Sequence, residues 1–569
     1  MIEADDDAVQ RIESELGIHP IVARLLVQRG LTTPEAADLF LNPNLDRMHD
    51  PMLLPDAERA CERLKQALAS GEKIMIHGDY DGDGVTSAAL WTRCLRALGA
   101  DVEVFVPHRD RDGYDMRMKF VEKARQDGVK LIITTDCGIQ QCDEVDQACA
   151  FGIDVIITDH HTPNADGSLP KAVAVVNPHR KDSQYPFKYL AGVGVALKLC
   201  EALTQYLGHS VASFRKSFLD LAAIGTITDV VPLIDENRII VKHGLRFLKD
   251  TRKLGLRALL EACGYSDRTI DAGMISHGVG PRLNAASRID ETVYALDILL
   301  TKDPSEATAL ARKLNELNAK RKEDQARVEE EAFAQIAQLD LAETRCLVLS
   351  GDTWPAGIVG LVAGKVVQRL HRPCVAIALD KSGLARASAR SIHAFNVLDA
   401  IESCKDLLSA YGGHAHAAGL SIASEHVAEF ATRMNRIAAA SLSDEDCVAT
   451  LDVAMEIDPT HLTYDLLAQL ESLAPFGAAN ARPLFVSRGV RINEVRCMGK
   501  ESEHLKLILG IEGLNRWDTV DAPWFYRGDL IQSLGSVDSL DFCYQPNINE
   551  FNGKRSIQFI VEDVNAAEW

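Results

Sequence analysis

The chain has 569 residues, 47% of them hydrophobic and 25% charged, which is the composition of an ordinary globular protein of about three or four domains. No apolar run reaches the length of a membrane span, the acidic N-terminus does not resemble a signal peptide, and the thirteen cysteines include no C-x-x-C pair, so the sequence predicts a cytoplasmic protein without structural zinc or disulfides. The formal net charge of -21 argues weakly against nucleic acid as a partner but does not exclude a local basic groove.

The predicted elements begin with short helices over residues 1–55, one of which should start at Pro34 with Thr33 as its cap. From there to residue 265, short apolar strands alternate with helical segments. Strands are expected at 73–76, 131–134 and 155–158, and a helix at 85–98. Continuously apolar strands that alternate with helices are typical of a buried parallel sheet.

A long helix is predicted next, because residues 304–338 are rich in helix-forming residues and contain neither Gly nor Pro after Pro304. A second α/β region follows, and shorter strands with frequent turns then predict a small β-barrel or sandwich. The sequence therefore predicts an α/β protein with five parts: a helical segment (1–55), a parallel-sheet domain (56–265), a motif loop with the long connecting helix (266–340), a second α/β domain (341–445) and a C-terminal β domain (446–569).

Acidic and imidazole side chains follow the predicted strands of the first α/β domain. They come in four segments: Asp79, Asp81 and Asp83; Asp136; Asp159-His160-His161; and Asp229. Ligands bind outside the carboxyl ends of the strands in parallel α/β sheets, so the four segments should meet at one rim. A single D-x-D sequence or a lone His-His pair is most often a solvated turn. Their joint placement after apolar strands is what favours a functional site.

So many like charges can share a rim only if cations neutralise them. Carboxylate oxygens mixed with imidazole suit Mn²⁺ or Mg²⁺, and the histidines favour Mn²⁺. Two such ions about 3.5–4 Å apart form the usual clamp for in-line phosphodiester hydrolysis. Asp136, alone on its loop, is the candidate for a carboxylate that bridges both ions.

At these residues the sequence resembles the DHH phosphoesterase superfamily, named for the triplet Asp159-His160-His161, and within it the RecJ exonucleases. The resemblance covers nearly the whole chain. It is carried by five specific stretches: 78–84 (GDYDGDG), 225–233 (GTITDVVPL), 281–286 (PRLNAA), 411–419 (YGGHAHAAG) and 475–477 (PFG).

The resemblance implies a DHH domain, a long helix, a DHH-associated domain and an OB fold. It also implies Mn²⁺ or Mg²⁺, digestion of single-stranded DNA from the 5′ end in recombination and repair, and work alongside a RecQ-type helicase and single-strand-binding protein. The metal ligands that it implies are Asp79, Asp81, Asp83, Asp136, His160 and Asp229. His161 is implied as a contact to the scissile phosphate.

Substrate contacts are expected where Arg is flanked by small residues, because a guanidinium can fork onto phosphate from such loops. The resemblance also places the loop of Arg109 and Tyr114 near the nuclease entrance. A pocket for a 5′ phosphate is expected to combine two guanidiniums, a hydroxyl and a glycine N–H, supplied by Arg282, Ser388, Arg390 and Gly413-His414. The expected substrate-binding residues are Arg109, Tyr114, Arg282, Asn284, Arg288, Ser388, Arg390, Gly413 and His414.

Several positions depart from the RecJ pattern. Glycine is usual at the positions of Asp115, Ser287, Ala387, Ala389 and Ala479, and histidine is usual at that of Pro355. None of these positions is an expected metal ligand, so we expect the departures to affect substrate binding and rate rather than the class of reaction.

Two other functions remain open at this stage. One is a DHH phosphoesterase for small substrates such as short oligonucleotides or cyclic dinucleotides, although such chains usually lack an OB domain. The other is a replication scaffold that binds DNA but has lost activity, although decay should have erased metal ligands that are still present here.

Overall fold

The computed structural model describes residues 2–109, 111–113, 115–380, 383–499, 501–514, 518–534, 537–551 and 553–566. Within these ranges, no helix combines the length and the apolar character that crossing a membrane requires. The chain divides into two compact units. The barrel unit comprises Met1–Met48, Val230–Lys242 and Leu451–Trp569, and the sheet unit comprises His49–Asp229 and His243–Thr450.

The chain begins with helices, as expected. The first four are α1 (Asp6–Leu16), α2 (Pro20–Gln28), α3 (Pro34–Leu41) and α4 (Ala57–Ser70). The predicted start of α3 is confirmed, since Pro34 is its first residue and the Thr33 hydroxyl accepts a hydrogen bond from the Ala36 N–H at 3.3 Å.

A parallel five-stranded sheet forms the centre of the first α/β region, which confirms the predicted fold class. Its strands are β1 (Lys73–Gly78), β2 (Asp101–Phe105), β3 (Leu131–Thr135), β4 (Asp154–Thr158) and β5 (Ala174–Val176), in the order β2-β1-β3-β4-β5. Its helices are α5 (Gly82–Ala97), α6 (Met118–Gln126), α7 (Cys142–Ala150), α8 (Gly192–Tyr206) and α9 (Val211–Thr228). Strand β3 is buried throughout and β4 is buried except at Asp154, because helices cover both faces of such a sheet.

Two details of this region differ from the prediction. Helix α5 begins at Gly82 rather than at residue 85, because the Asp81 carboxylate caps it by accepting the N–H groups of Asp83 and Gly84. Asp229 does not follow a strand. It lies directly after helix α9, whose apolar last turn, Ile224 to Ile227, is buried and resembles a strand in the sequence.

A helical section follows and contains the predicted long helix. Its helices are α10 (Asp235–Lys249), α11 (Leu254–Ala262), α12 (Ala272–Met274), α13 (Gly280–Ile289), α14 (Val293–Leu300) and α15 (Pro304–Ile336). Helix α15 has 33 residues and is capped by Asp303, which accepts the N–H groups of Ser305 and Glu306. Helix α13 occupies residues that we expected to form a loop. Its two consecutive alanines and Pro281 in the first turn favour the helix.

A mixed five-stranded sheet forms the second α/β region. Its elements are β6 (Leu347–Gly351), α16 (Ala356–Leu370), β7 (Cys374–Ala378), β8 (Leu384–Arg390), α17 (Val397–Glu402), β9 (Leu408–His414), β10 (Ala417–Ala423) and α18 (Val427–Ser441). The strand order is β6-β7-β8-β10-β9, and only the β6–β7 pair is parallel.

The C-terminal region forms the expected β-barrel. Its elements are β11 (Val453–Glu456), α19 (Tyr464–Glu471), β12 (Leu484–Met498), β13 (His504–Gly510), β14 (Thr519–Trp524), α20 (Ile531–Leu534), β15 (Ser539–Phe551) and β16 (Lys554–Ala566). Strand β12 pairs with both β13 and β15, which closes the sheet on itself. The aromatic rings of Phe485, Phe542, Tyr544 and Phe559 are buried in one core that the barrel shares with helices α1 to α3.

Candidate metal centre and substrate cavity

The first segment of the candidate metal centre is the turn from β1 to α5. Asp79 follows the last residue of β1 and is 5% exposed, and Asp81 caps α5. Asp83 lies in the first turn of α5 and accepts the N–H groups of Gly192 and Val193 at 2.6 and 2.9 Å. These bonds attach the N-terminus of α8 to the turn, so two helix N-termini meet at the rim of the sheet.

The other three segments come from β3, β4 and α9. Asp136 follows β3 with a φ of 62°, and His160 and His161 follow β4 after Asp159. His160 Nε2 lies 3.1 Å from Asp136 Oδ1 and 3.6 Å from Asp229 Oδ2. The structure therefore brings together side chains from four separate segments, as the strand-end rule predicts for three of them.

Three overlapping sets of side chains are close enough to share a cation. In each set the ligand atoms lie within 4.8 Å of one another. The sets are Asp79, Asp81 and Asp136; Asp83, His160 and Asp229; and Asp136, His160 and His161. Asp136 and His160 are each common to two of the sets, and of the two only Asp136 is a carboxylate, whose two oxygens allow it to bridge two ions.

Several ligand atoms at this centre are buried and lack a hydrogen-bond partner among the described residues. They are Asp79 Oδ1, Asp136 Oδ1, His160 Nε2 and Asp229 Oδ2. A buried polar atom without a partner costs free energy, so four of them converging on one point indicate that a ligand completes the site. Oxygen atoms mixed with an imidazole nitrogen fit Mn²⁺ or Mg²⁺.

The pKa values of the carboxylates at this centre also indicate a bound cation. Burial and then neighbouring carboxylates raise the pKa of Asp79, Asp136 and Asp229 well above the usual aspartate range. Burial and the adjacent Asp81 raise the pKa of Asp83 to about 7. These carboxylates can all be ionised at neutral pH only beside a positive charge, which divalent cations supply.

The two histidines have opposite electrostatic environments. Burial and then the charge of His161 lower the pKa of His160 to about 3, so its ring is neutral. That ring hydrogen-bonds the backbone of Leu190, which leaves Nε2 free to donate its lone pair to a cation. Burial opposes protonation of His161, but Asp159, 2.7 Å from its Nδ1, raises its pKa to about 10. His161 is therefore a fixed positive charge beside the centre.

A cavity of about 400 Å³ lies beside these ligands within the sheet unit. Tyr80, which stands between Asp79 and Asp81 in the chain, lines it. The other polar side chains in its wall are Arg109, Arg288, Arg386, Ser388, Arg390, Tyr411 and Ser421, and none of the described residues that line it is acidic. A wall with four guanidinium groups and no acidic side chain among its described residues suits an anion.

Three of these guanidinium groups contact neutral partners. Arg390 Nη1 donates to Ser388 Oγ at 3.0 Å, and Arg288 Nη1 donates to the Gly357 carbonyl at 3.0 Å. The Arg109 guanidinium lies over the Tyr80 ring, 4.5 Å from its centroid. Burial, and to a smaller extent the charges of neighbouring arginines, lower the pKa of Arg288 to about 9, and a bound phosphate would relieve the repulsion among these arginines.

Strand β8 explains why three of these residues line the cavity. We expected Ser388 and Arg390 on a loop, but they lie on β8, where Arg386, Ser388 and Arg390 alternate with alanines. The alternation places Ala387 and Ala389 on the buried face, so their methyl groups pack in the core. The alternating letters LARASAR were the sequence signal for this strand.

Some expected substrate residues are outside the cavity wall. Arg282 and Arg288 lie on α13, not on a loop, and the Arg282 guanidinium donates to Asn315 Oδ1 on α15 at 2.8 Å. Gly413 and His414 end β9 and are not in the wall. Tyr114 lies outside the described residues.

Asn284 and two departures from the RecJ pattern also lie on or next to helices. Asn284 Oδ1 accepts the Gly82 N–H at 2.7 Å, so this side chain supports the turn that carries the candidate metal-binding aspartates. Ser287 is buried on α13 and its hydroxyl donates to the Asn284 carbonyl. Pro355 directly precedes α16.

Comparison with known proteins gives a consistent assignment. Residues 73–226 match the DHH family N-terminal domain, residues 343–440 the DHHA1 domain and residues 453–563 the RecJ OB domain. The chain is 35% identical to a single-stranded-DNA-specific exonuclease RecJ of Dickeya dadantii, over 97% of both chains. It is 36% identical to that of Bacillus subtilis, over 99% of this chain and 70% of the relative.

Solved structures support the same similarity to RecJ proteins. RecJ from Thermus thermophilus in complex with Mn²⁺ has a TM-score of 0.85 and 30% identity, covering 100% of this chain and 79% of that one. The complex of the same protein with Mg²⁺ has a TM-score of 0.79. The chain belongs to the RecJ family of DHH phosphoesterases.

Proposed function

We propose that this protein is a Mn²⁺- or Mg²⁺-dependent exonuclease that hydrolyses single-stranded DNA. The observation that supports this most directly is the position of Tyr80. It lies between two candidate metal ligands in the sequence and lines the arginine cavity. The cavity that suits a phosphate therefore opens beside the residues that suit divalent cations, as phosphodiester hydrolysis requires.

The residues proposed to hold the ions are Asp79, Asp81, Asp83, Asp136, His160 and Asp229, with Asp136 shared. When bound, such ions polarise a phosphoryl oxygen and lower the pKa of water. The chain's own part is to fix the ligands, through the Asp81 and Asp83 hydrogen bonds to two helix N-termini. His161, held protonated by Asp159, is proposed to contact the non-bridging oxygens of the scissile phosphate, where negative charge grows.

We infer that the cavity sets the polarity of the enzyme by binding the 5′ phosphate of the strand. A terminal phosphate monoester carries up to two negative charges, against one for an internal diester, so several guanidiniums distinguish the end from the middle. The residues of this proposed phosphate site that line the cavity are Arg109, Arg288, Ser388 and Arg390. Arg282, Gly413 and His414, together with Tyr114, are proposed to guide the strand. Digestion then proceeds 5′ to 3′ and releases mononucleotides.

The remaining expectations are also proposals. The parts of the chain are proposed to be residues 1–55, 56–265, 266–340, 341–445 and 446–569, with the OB fold providing additional affinity for single strands. A groove too narrow for a duplex would make blunt DNA a poor substrate. We infer a cytoplasmic location and roles in recombination and repair, in which a RecQ-type helicase and single-strand-binding protein would supply and protect the single strand.

The test uses purified protein, Mn²⁺ and a long single strand labelled at one end. Release of nucleotides from the 5′ end supports the proposal, and rapid digestion of blunt duplex contradicts the narrow groove. Cleavage of dinucleotides alone would support a phosphoesterase for small substrates. Binding of DNA without hydrolysis would support a scaffold.

A further inference from the structure

Asp115 is held in a conformation that its side chain disfavours. Its φ is 74°, in the left-handed region, where a residue with a Cβ atom is strained and glycine is not. Its carboxylate is also buried, with 7% of the residue exposed, so it has lost most of its hydration. Strain and desolvation both oppose an aspartate at this position, which indicates that the carboxylate makes interactions that offset them.

Those interactions all go to one turn. Asp115 Oδ1 accepts the Gly138 N–H at 2.8 Å, and Oδ2 accepts a hydrogen bond from Gln141 Nε2 at 2.9 Å. Gly138 and Gln141 lie in the turn between β3 and α7, which begins at Asp136. The carboxylate therefore spans the turn that presents the proposed bridging ligand.

The turn needs such support because its own backbone is strained. Asp136 has a φ of 62°, which strains a residue with a Cβ atom, whereas the φ of 105° at Gly138 is accessible because that residue is a glycine. The Asp136 N–H donates to the Thr158 carbonyl at 3.0 Å, and the Ile139 N–H donates to Asp159 Oδ2 at 3.0 Å. With the Gly138 bond to Asp115, three backbone N–H groups hold a conformation that the isolated turn would leave.

We propose that Asp115 is a positioning residue for the metal centre: its carboxylate fixes the turn so that Asp136 faces the other ligands. The inference rests on the proposed role of Asp136 as a metal ligand. It also gives a function to a departure from the RecJ pattern, since a glycine at this position would adopt the backbone conformation easily but could not hold the turn.

Two variants separate the carboxylate from the backbone. Asp115→Gly keeps the left-handed conformation without strain and removes both hydrogen bonds to the turn. Asp115→Asn keeps an oxygen for the Gly138 N–H, and its amide N–H₂ can donate to the Gln141 side chain once that amide turns its oxygen inward. The full-length proteins are titrated with Mn²⁺ without DNA, and bound ion is measured from the loss of the free-ion electron paramagnetic resonance signal.

Asp115→Gly is expected to weaken Mn²⁺ binding at least about 10-fold, the usual effect of losing a group that orients a ligand. Its hydrolysis of single-stranded DNA should fall at low Mn²⁺ and recover in part at high Mn²⁺. Asp115→Asn should remain within about threefold of wild type, because it preserves the acceptor that orients the turn.

A matched control comes from the barrel unit. Asp518 has a φ of 52°, and its Oδ1 accepts the Gly513 N–H at 2.8 Å, so Asp518→Gly removes the same kind of hydrogen bond from the same kind of backbone. This variant should bind Mn²⁺ like wild type. A general loss of stability would affect both glycine variants, whereas positioning affects only Asp115→Gly.

Wild-type Mn²⁺ binding in Asp115→Gly would overturn the inference, and so would an Asp115→Asn variant that binds as weakly as the glycine variant. Should Asp115→Gly fail to fold, Asp115→Ser replaces it, because a serine hydroxyl is too short to span Gly138 and Gln141. Asp136→Ala is titrated in parallel. If it binds Mn²⁺ like wild type, the metal assignment itself fails, whatever the Asp115 variants do.

Discussion

Asp159 is buried and pairs with the partly exposed His161, with the carboxylate Oδ1 2.7 Å from the imidazole Nδ1. The same Oδ1 accepts the backbone N–H groups of His160 and His161, and Oδ2 accepts the Ile139 N–H. Burial alone would raise the pKa of Asp159, but its pairing with His161 lowers it to about 2. One side chain thus fixes the charge of His161, the backbone of the triplet and the turn after Asp136.

Asp159→Asn is expected to reduce hydrolysis by about 10²-fold, the usual effect of losing an electrostatic contact to a transition state. The amide cannot accept hydrogen bonds at both ends, so its N–H₂ group faces either the Ile139 N–H or the His161 ring. A steady-state assay with saturating Mn²⁺ measures the loss. As a control, Asp127→Asn changes a partly exposed aspartate that pairs with Lys123 on the same sheet unit and should keep the wild-type rate. A fully active Asp159→Asn variant would exclude the proposed role of His161.

Asp136→Ala is expected to abolish activity, with kcat at least about 10³-fold below wild type, which corresponds to roughly 4 kcal/mol of lost transition-state stabilisation. The fold should survive, because removing Asp136 relieves repulsion among the rim carboxylates. Hydrolysis of labelled single-stranded DNA and thermal unfolding in a chelator measure the two effects. If the variant kept more than a few per cent of the wild-type rate, the shared-ligand assignment would be wrong.

The clustering of the candidate metal ligands could be predicted from the sequence, because it depends on one rule about parallel sheets. Asp79, Asp136 and His160 each follow an apolar strand, and strand ends on one rim bring their side chains together. Asp229 reaches the same rim from a helix, and here the pattern of the residues was misleading, because the buried last turn of that helix is as apolar as a strand.

The substrate-binding residues were harder to predict, because their positions depend on contacts between segments that are distant in the sequence. Nothing in the local sequence shows that Arg282 bonds Asn315, 33 residues later, while Arg288, about 1.7 turns further along the same helix, faces the cavity. The partners of Asp115 and Asp159 were missed for the same reason. The alternation on β8 was a readable signal, since period two separates Ser388 and Arg390 from the buried alanines.

Without divalent ions, the stability of the protein should fall as pH rises from about 6 to 8. The folded-state pKa of Asp83 is about 7, and those of Asp79, Asp136 and Asp229 are also raised, against 3.8 for an ordinary aspartate. At these four carboxylates the native state therefore binds more protons than the unfolded state above pH about 4, and the free energy of unfolding falls as a rise in pH removes those protons. The window starts at pH 6 because the lowered pKa of His160 has the opposite effect at more acidic pH. Urea unfolding in a chelator at pH 6, 7 and 8 measures the slope.

Two comparisons identify the rim carboxylates as the cause of that slope. Asp136→Asn should flatten it, because one repelling carboxylate is gone, and saturating Mn²⁺ should flatten it in wild type by replacing the protons. A wild-type slope that is zero or positive in the chelator would contradict the raised pKa values.

The last prediction tests the proposal that the cavity selects the 5′ end. Arg390 is oriented by Ser388 and lines the cavity together with Arg109 and Arg288. Wild type should hydrolyse an oligonucleotide with a 5′ phosphate faster than the same oligonucleotide with a 5′ hydroxyl, because the monoester adds negative charge beside these guanidiniums. Arg390→Ala should lose most of this preference yet still cut slowly, since the metal ligands are unchanged.

Arg369→Ala is the matched control. Arg369 lies on α16 of the same unit, is exposed and stacks on Phe333 outside the cavity wall, so this variant should keep the preference. The salt dependence of binding gives a second readout, because each lost phosphate contact lowers the slope of log K against log salt by about one. If wild type shows no preference, or if Arg390→Ala keeps it, the cavity does not bind the 5′ phosphate and polarity must be set elsewhere along the strand.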